Sequence, residues 1–256
     1  HYGGLSCDMN AICNLAAARG WRVVDDAAHA LPTTHAGRSV GSWGDATAFS
    51  FYATKSLTTG EGGMVVTGDR ALAERMRVMR LHGISRDAFD RYRSTEPAWA
   101  YEIVAPGFKY NLSDIQAALG IAQLARLESM AEARADVARR YDAALSGSSG
   151  LVLPPHPADG ERHSWHLYSV RVDGGRQRRD RVIELMAADG VGTSVHFIPL
   201  HRMPYWRERY ALKETDFPVA EKLFAGQISL PIYPGLTDEQ VDRVSASLLA
   251  ALDATG

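Results

Sequence analysis

The 256-residue sequence lacks several features that mark specialised classes of protein. It has two cysteines, Cys7 and Cys13, and their spacing matches neither a zinc-binding pair nor a thioredoxin motif, so we expect two reduced thiols and no disulfide framework. No apolar run reaches the roughly 18 residues that a membrane-spanning helix needs, and the N-terminus has no basic segment followed by an apolar one. We therefore expect a cytoplasmic protein that does not enter a membrane.

An excess of charge of one sign is also missing. The formal net charge is -2 with both signs interspersed, which gives no support for nucleic-acid binding or for a role at a membrane surface. The arginine-rich residues 176–181 are typical of an exposed turn and helix start. With 46% apolar residues, the chain can bury a substantial core in one large domain or two smaller ones.

Residues 46–66 carry the strongest functional signal. Residues 46–51 are small and apolar, which predicts a buried strand that delivers Lys55 into a glycine-rich loop. Such a lysine is either a snorkelling or ion-paired side chain or an amine whose lowered pKa makes it a nucleophile. The loop is not a nucleotide P-loop, because no Gly-Lys-Ser/Thr follows its glycines. The glycines favour close passage of the backbone beside a cofactor or a neighbouring subunit.

An acidic doublet, Asp25 and Asp26, precedes this loop. Residues 21–24 predict a strand, and the doublet follows directly at its end. Pyridoxal phosphate needs an amine to bind its aldehyde, an acidic partner for its ring nitrogen, and donors for its phosphate. A carboxylate at a strand end and a lysine in a later loop suit that cofactor, although one Asp of a doublet is also a common helix cap.

Three motifs in order make the chain resemble one family. They are DDAAHA at residues 25–30, SFYATKSLTTGEGG at residues 50–63 and GFKYNLSDIQAALG at residues 107–120. Together they are similar to the DegT/DnrJ/EryC1/StrS sugar aminotransferases, and the similarity continues through HSWHLYSVRVD, GVGTSVHFIPLH and SLPIYPGLTDEQV. The resemblance implies an α/β protein of the pyridoxal-phosphate-dependent transferase fold type I. Its three-layer α/β/α large domain would be incomplete at the N-terminus, and a small α+β domain would follow.

The resemblance assigns a set of cofactor-binding residues. Lys55 matches the Schiff-base lysine, which would act first as nucleophile and then as base. Asp26, rather than Asp25, matches the partner of the pyridinium nitrogen. His29 matches a residue placed against the cofactor ring, and Ser50 matches a phosphate-binding serine. Taken without the resemblance, His29 is typical of a packed histidine and Ser50 is a commonplace residue at a strand end.

Further assignments concern the partner subunit and the substrate. Asn111 matches an asparagine that reaches the cofactor phosphate of the neighbouring subunit, which implies a homodimer; by itself it is typical of a local cap before a helix near Asp114. His196 and His201 are predicted to line the substrate cleft. Their spacing also invites a metal site, but no acidic or cysteine ligand accompanies them, so we expect no metal.

The predicted reaction is amino transfer from an amino acid, expected to be glutamate, to the keto carbon of a nucleotide-linked sugar. The residues ATKSLTTGEGG and YEIVAPGFKYN are most similar to the branch acting on 4-keto sugars, which serves polysaccharide, lipid A or antibiotic sugar synthesis. Lys55 argues against a sugar 3-dehydratase, whose relatives carry His at this position. Cys7 and Cys13 lie on or beside a predicted helix, which argues against a cysteine desulfurase. A catalytically inert or regulatory relative with the same fold is the alternative from another class.

The predicted domains are residues 1–125, the C-terminal part of the cofactor-binding domain, and residues 126–256, a bridging helix with the small domain. Because the chain has no initiating Met, we expect an upstream segment that in relatives carries a phosphate-binding turn and a ring-stacking aromatic. Within these domains we predict a long helical stretch over residues 119–145, a surface loop over residues 84–106 and a strand over residues 191–197.

Overall fold

The computed structural model describes residues 1–85 and 101–256. These residues form two compact units. The first unit comprises His1–Tyr2 and Ser6–Leu127, and the second comprises Gly3–Leu5 and Glu128–Gly256. The boundary predicted from the sequence comes after residue 125. Most of the predicted surface loop over residues 84–106 lies outside the described residues.

Helices of the first unit begin at polar side chains that accept hydrogen bonds from the first turn. They are α1 (Met9–Arg19), α2 (Arg70–Met79) and α3 (Asp114–Leu124). Asp8 and Asp69 cap α1 and α2, and Ser113 forms a reciprocal capping box with Gln116 at the start of α3. These caps satisfy N–H groups that have no partner inside a helix. The helix start predicted near Asp114 is confirmed.

A three-stranded sheet and a hairpin make up the strands described in the first unit. They are β1 (Val24–Asp26), β2 (Thr34–His35), β3 (Arg38–Ser39), β4 (Ala46–Ser50) and β5 (Gly63–Val66). The sheet order is β1-β4-β5, with β1 parallel to β4 and β4 antiparallel to β5. The strands β2 and β3 form the hairpin. The strand predicted before Lys55 is therefore confirmed as β4.

The acidic doublet lies inside β1 rather than after its end, which corrects the predicted strand over residues 21–24. Asp25 pairs in register with Thr47 of β4, and the Thr47 hydroxyl donates a hydrogen bond of 2.9 Å to the Asp25 carboxylate. A polar side chain fits a strand interior when it finds such a partner. The partner is 22 residues away, so the local apolar pattern did not reveal it.

The second unit is an α+β layer structure. Its elements are α4 (Leu127–Leu145), β6 (Leu151–Val152), β7 (Tyr168–Val172), α5 (Gly175–Ala188), α6 (Pro204–Tyr210), α7 (Pro218–Gly226), β8 (Gln227–Leu230) and α8 (Asp238–Asp253). The antiparallel sheet has the order β6-β7-β8. Fully buried side chains such as Tyr141, Tyr168 and Leu248 join this sheet to α4, α5 and α8 in one hydrophobic core. Burial of this apolar surface is the main stabilising contribution to the unit.

Two predicted elements differ in the structure. The helical stretch over residues 119–145 is two helices, α3 and α4, because the chain leaves the helix at Ala125 and Arg126. Residues 191–197 form no regular strand, and Ser194 makes only an isolated bridge to Ser229. In the described parts of the chain, no helix has the length and apolar character needed to cross a membrane.

Candidate active site

Lys55 and Asp26 lie at the same edge of the first unit's sheet. Asp26 is the last residue of β1, and Lys55 lies in the loop that follows β4. Because β1 and β4 are parallel, their carboxyl ends meet at one edge, which is where ligands bind in open α/β sheets. The topology thus brings together the two residues that the sequence analysis paired.

The Lys55 amine has an altered electrostatic environment. Burial lowers the pKa of this half-buried side chain below its ordinary value, and the negative charge of Asp26 partly offsets that effect by raising it. Asp26 acts on the amine through its charge and not through a hydrogen bond in the described part of the chain. Lys55 therefore has a larger fraction of neutral, nucleophilic amine near neutral pH than an exposed lysine.

The Asp26 side chain is held by the backbone that follows it. One carboxylate oxygen accepts a hydrogen bond of 2.9 Å from the Ala28 N–H. Asp26 itself is exposed, whereas Asp25 before it is buried. The turn after β1 therefore fixes the direction in which the Asp26 carboxylate points.

The lysine loop is held at both ends by buried apolar groups and backbone hydrogen bonds. Phe51 and Leu57 pack in a small core of the first unit. The Phe51 N–H donates to the Gly62 carbonyl at 2.8 Å, and the Thr59 N–H donates to the Phe51 carbonyl at 2.9 Å. A Cβ atom on Gly62 would lie 2.3 Å from the Thr59 hydroxyl. Gly62 is thus required by close packing inside the loop itself.

Ser50 lies at the end of β4, before the loop with Lys55, and His29 lies in the segment that follows Asp26 and β1. Ser50 ends β4, and its hydroxyl accepts a hydrogen bond of 3.3 Å from the Tyr52 N–H. His29 is half-buried three residues beyond Asp26, and its ring centroid lies 6.1 Å from that of Tyr2. Their predicted contacts with a phosphate and a cofactor ring stay predictions.

Asn111 lies just before α3, next to a lysine that the sequence analysis did not select. The Lys109 ammonium donates a hydrogen bond to the Asn111 side-chain oxygen. At the start of α3, the Gln116 amide donates to the Glu61 carbonyl at 2.8 Å, which holds the helix against the lysine loop. The pair of Lys109 and Asn111 places a positive charge beside a helix N-terminus, an arrangement suited to anions. The spacing Lys-Tyr-Asn in GFKYN is the sequence signal for this pair.

His196, in the second unit, belongs to a chain of hydrogen bonds. Its Nδ1 atom lies 2.8 Å from the Ser229 hydroxyl, which in turn lies 2.8 Å from the Ser169 hydroxyl. Ser169 and Ser229 are register partners on β7 and β8. The sheet therefore fixes the orientation of the His196 ring.

His201, also in the second unit, is buried in an ion-pair cluster. Its Nε2 atom lies 2.5 Å from Glu221, and its ring stacks on Phe217 at 4.4 Å between centroids. The side chain presents little surface to a ligand. Its predicted place in a substrate cleft stays a prediction, while its contacts join the turn Leu200–Arg202 to α7.

Comparison with known proteins places this geometry in a family. The model of the DegT/DnrJ/EryC1/StrS aminotransferase family matches residues 1–249. The chain belongs to this family. It is 49% identical over 247 residues to the spore coat polysaccharide biosynthesis protein SpsC of Bacillus subtilis, covering 95% of this chain and 63% of that protein.

Solved structures of related aminotransferases have the same fold. The putative sugar aminotransferase Spr1654 from Streptococcus pneumoniae in its PMP-form superposes with a TM-score of 0.92 at 30% identity, covering 100% of this chain and 68% of the other. The aminotransferase TlmJ from Streptoalloteichus hindustanus gives a TM-score of 0.88 at 34% identity, with 99% and 64% covered. The predicted family and fold class, fold type I with a small α+β domain, are thus confirmed.

The chain covers only part of the length of its curated relatives. The chain spans 63% and 64% of the length of two curated relatives that it matches. Among the described residues, no group of three His, Cys, Asp or Glu side chains is arranged to hold a metal ion.

Proposed function

We propose that this protein is a pyridoxal-phosphate-dependent aminotransferase that transfers the amino group of an amino acid, glutamate, to the keto carbon of a nucleotide-linked sugar. The observation that carries the proposal is the meeting of Lys55 and Asp26 at the carboxyl edge of β1 and β4. Family membership supports the reaction class, since the family is described as aminotransferases.

The residues present fit this cofactor. A carbonyl is attacked by a neutral amine, and burial lowers the pKa of Lys55 in the direction that supplies one. The Asp26 charge acts on the same amine without forming an ion pair with it in the described chain, so the carboxylate remains available to another cation. The S. pneumoniae relative has been solved in both PMP- and PLP-forms.

Each side chain has a separate task in the proposed reaction. The bound cofactor would supply a cationic ring that draws electrons from the substrate carbon. Lys55 would bind the cofactor through Nζ and, once displaced by the amino substrate, carry a proton between carbon atoms as a general base. Asp26 would hold the proton on the ring nitrogen. His29 would lie against the ring, while Ser50 and, from a second copy of the chain, Asn111 would donate to the phosphate.

For the acceptor we propose a 4-keto sugar nucleotide used in polysaccharide, lipid A or antibiotic sugar synthesis. The printed name of the B. subtilis relative refers to spore coat polysaccharide biosynthesis, and that of the S. pneumoniae relative to a sugar aminotransferase. His196 and His201 are the proposed substrate-side residues. The hydrogen bond between Ser229 and His196 would keep the imidazole ring in one orientation, which favours selective contact with sugar hydroxyls.

We also propose that the protein works as a homodimer in the cytoplasm. The helix α3 has no buried residue although much of it is apolar, and Asn111 lies three residues before its first residue. A second copy covering α3 would remove this apolar surface from water. The cytoplasmic location is consistent with two unpaired cysteines.

The first test is spectroscopic and uses matched lysine variants. We expect purified protein mixed with pyridoxal phosphate to develop a visible absorption band that changes when glutamate is added. Lys55→Ala should abolish the band, because it removes the amine that lies in the loop after β4 near Asp26. Lys222→Ala, an exposed lysine of α7, should leave the band unchanged.

Two further outcomes separate the proposal from its alternative. A band that forms at Lys55 but does not respond to glutamate or other amino acids would favour the inert or regulatory relative. Equal bands in the wild type and in Lys55→Ala would contradict the assignment of Lys55. When the band does respond, keto-sugar-dependent formation of 2-oxoglutarate identifies the acceptor.

A further inference from the structure

Asp25, the buried residue of the acidic doublet, has no role in the proposed reaction. Successive side chains of a strand point to opposite faces of the sheet, and β1 alternates in burial, with Asp25 buried and Asp26 exposed. Asp25 is 7% exposed, and its partner Thr47 on β4 is 1% exposed. The two aspartates therefore lie on opposite faces, and Asp25 faces away from Lys55.

The packing around Asp25 is built for a carboxylate. A Cβ atom on Gly44 would lie 3.0 Å from the Asp25 carboxylate oxygen and 2.8 Å from the Val23 carbonyl, so only glycine leaves enough room. The Asp25 carboxylate also affects Cys13 on α1. Burial raises the pKa of the Cys13 thiol, and the negative charge of Asp25 raises that pKa further.

One hydrogen bond balances this buried charge. In the described parts of the chain, the Thr47 hydroxyl, at 2.9 Å, is the single hydrogen-bond donor to the Asp25 carboxylate. Burying a carboxylate is costly when so few donors solvate it, and an apolar pair at these positions would avoid that cost. The pair therefore needs an explanation other than stability.

The position of the pair in the sheet supplies that explanation. Strand β1 has three residues in register with β4, and the pair of Asp25 and Thr47 is the middle one. The next residue is Asp26, so the side-chain bond links the two strands one residue before it, while the Ala27 N–H donates to the Ala48 carbonyl at 2.9 Å one residue after it. The backbone pairing of β1 with β4 involves three residues of each strand and by itself holds β1 only weakly, because each backbone hydrogen bond adds a small net free energy.

We infer that Asp25 and Thr47 are positioning residues, whose buried hydrogen bond holds Asp26 in place at the sheet edge opposite Lys55. The inference rests on the proposed function for its catalytic meaning, but it can be measured on the protein without cofactor. The Asp26 charge raises the pKa of Lys55, so the titration of the Lys55 amine reports how well Asp26 is placed.

The experiment follows the Lys55 side chain by NMR in cofactor-free protein labelled with ¹³C- and ¹⁵N-lysine. The sequence has four lysines, so Lys55→Arg identifies the resonance. Asp26→Asn removes the charge that raises the Lys55 pKa, so it should lower that pKa. This decrease is the reference against which the other variants are compared. Thr47→Val, which has no hydroxyl, should give at least half of this decrease. Thr47→Ser, which keeps the hydroxyl, should titrate as the wild type does.

Further variants separate positioning from charge and from general destabilisation. Asp25→Asn keeps an acceptor for Thr47, so a positioning role predicts a Lys55 pKa near that of the wild type. Thr33→Val removes another buried hydroxyl of the first unit that lies outside the β1 and β4 pair, and it should cause no decrease. An unchanged Lys55 pKa in folded Thr47→Val would overturn the inference, as would a decrease of equal size in Thr47→Ser or in Thr33→Val.

The outcome is independent of the cofactor assignment. If pyridoxal phosphate never gives the visible band, the proposed function fails, yet a decrease in Thr47→Val would still establish the positioning pair. If the band forms but Thr47→Val titrates like the wild type, the positioning pair alone fails.

Discussion

Glu221 illustrates how one residue can hold several others in the second unit. Its two carboxylate oxygens accept hydrogen bonds from Arg202, at 2.8 and 2.5 Å, and one of them also lies 2.5 Å from the His201 ring. The paired Arg202 guanidinium is the main reason that the pKa of Glu221 falls to about 2. The folded protein therefore favours the ionised carboxylate far more than the unfolded chain does.

We predict that Glu221→Gln destabilises the protein in a pH-dependent way. A carboxylate with a depressed pKa stabilises the fold fully above its unfolded pKa of about 4.3 and loses that contribution as the pH falls toward 2. The free energy of unfolding of the variant should thus be lower by about 1–2 kcal/mol at neutral pH, since the pair is partly solvated. The difference from the wild type should shrink between pH 5 and 2 in urea titrations.

Glu214→Gln is the matched control, because Glu214 contacts the same arginine but is much more exposed. Its effect should stay within about 0.5 kcal/mol. A Glu221→Gln deficit that is the same at every pH would show that packing, not charge, accounts for it.

At the scale of elements, Arg179 joins three parts of the second unit. The arginine-rich pattern of residues 176–181 predicts exposed side chains, and the structure corrects this for Arg179, whose side chain is 3% exposed. From α5 its guanidinium donates to the Phe224 and Gln227 carbonyls at 2.8 and 2.9 Å. These carbonyls lie at the junction of α7 and β8, so one side chain satisfies backbone groups where two elements meet.

Arg179→Ala should lower the free energy of unfolding by about 2–4 kcal/mol, because it removes a buried donor of two backbone hydrogen bonds together with packed methylenes. Arg181→Ala, in the same helix with an exposed side chain, should cost less than about 0.5 kcal/mol. Denaturant midpoints of the two variants decide the point. Equal midpoints would mean that the carbonyls find other partners.

At the scale of the whole molecule, the apolar helix α3 has no buried residue in the part of the chain that the structure describes. Ile115 is 84% exposed and Ile121 is 71% exposed, and no residue of the helix is buried. Scattered exposed apolar residues are normal on a protein surface, but a helix with this composition and no buried side chain favours a partner.

We predict that the wild type sediments as a dimer and that the double variant Ile115→Glu/Ile121→Glu sediments as a monomer with unchanged circular dichroism. The charges would have to be buried without partners in the dimer, which weakens association strongly. Val219→Glu, at an equally exposed apolar position of α7, should remain dimeric. A monomeric wild type would contradict the proposed role of Asn111 in a second subunit's site.

Local signals in the sequence predicted much of this structure. The helix predicted near Asp114 is α3 and the strand predicted over residues 46–51 is β4. Both were predictable because capping and strand burial depend on residues within a few positions of one another. The resemblance, carried by short motifs around Asp26 and Lys55, led to the family that the comparison confirms.

The sequence by itself determined the strand β4, the start of α3 near Asp114 and the family that the chain joins. Only the tertiary structure decided that Asp25 is buried against Thr47, that Arg179 is inside, and that His201 is bound to Glu221. The physical reason is that each of these polar side chains is satisfied by a partner 20 or more residues away in the chain. A charged residue looks the same in a local window whether it is solvated or paired, and only the folded chain supplies the partner.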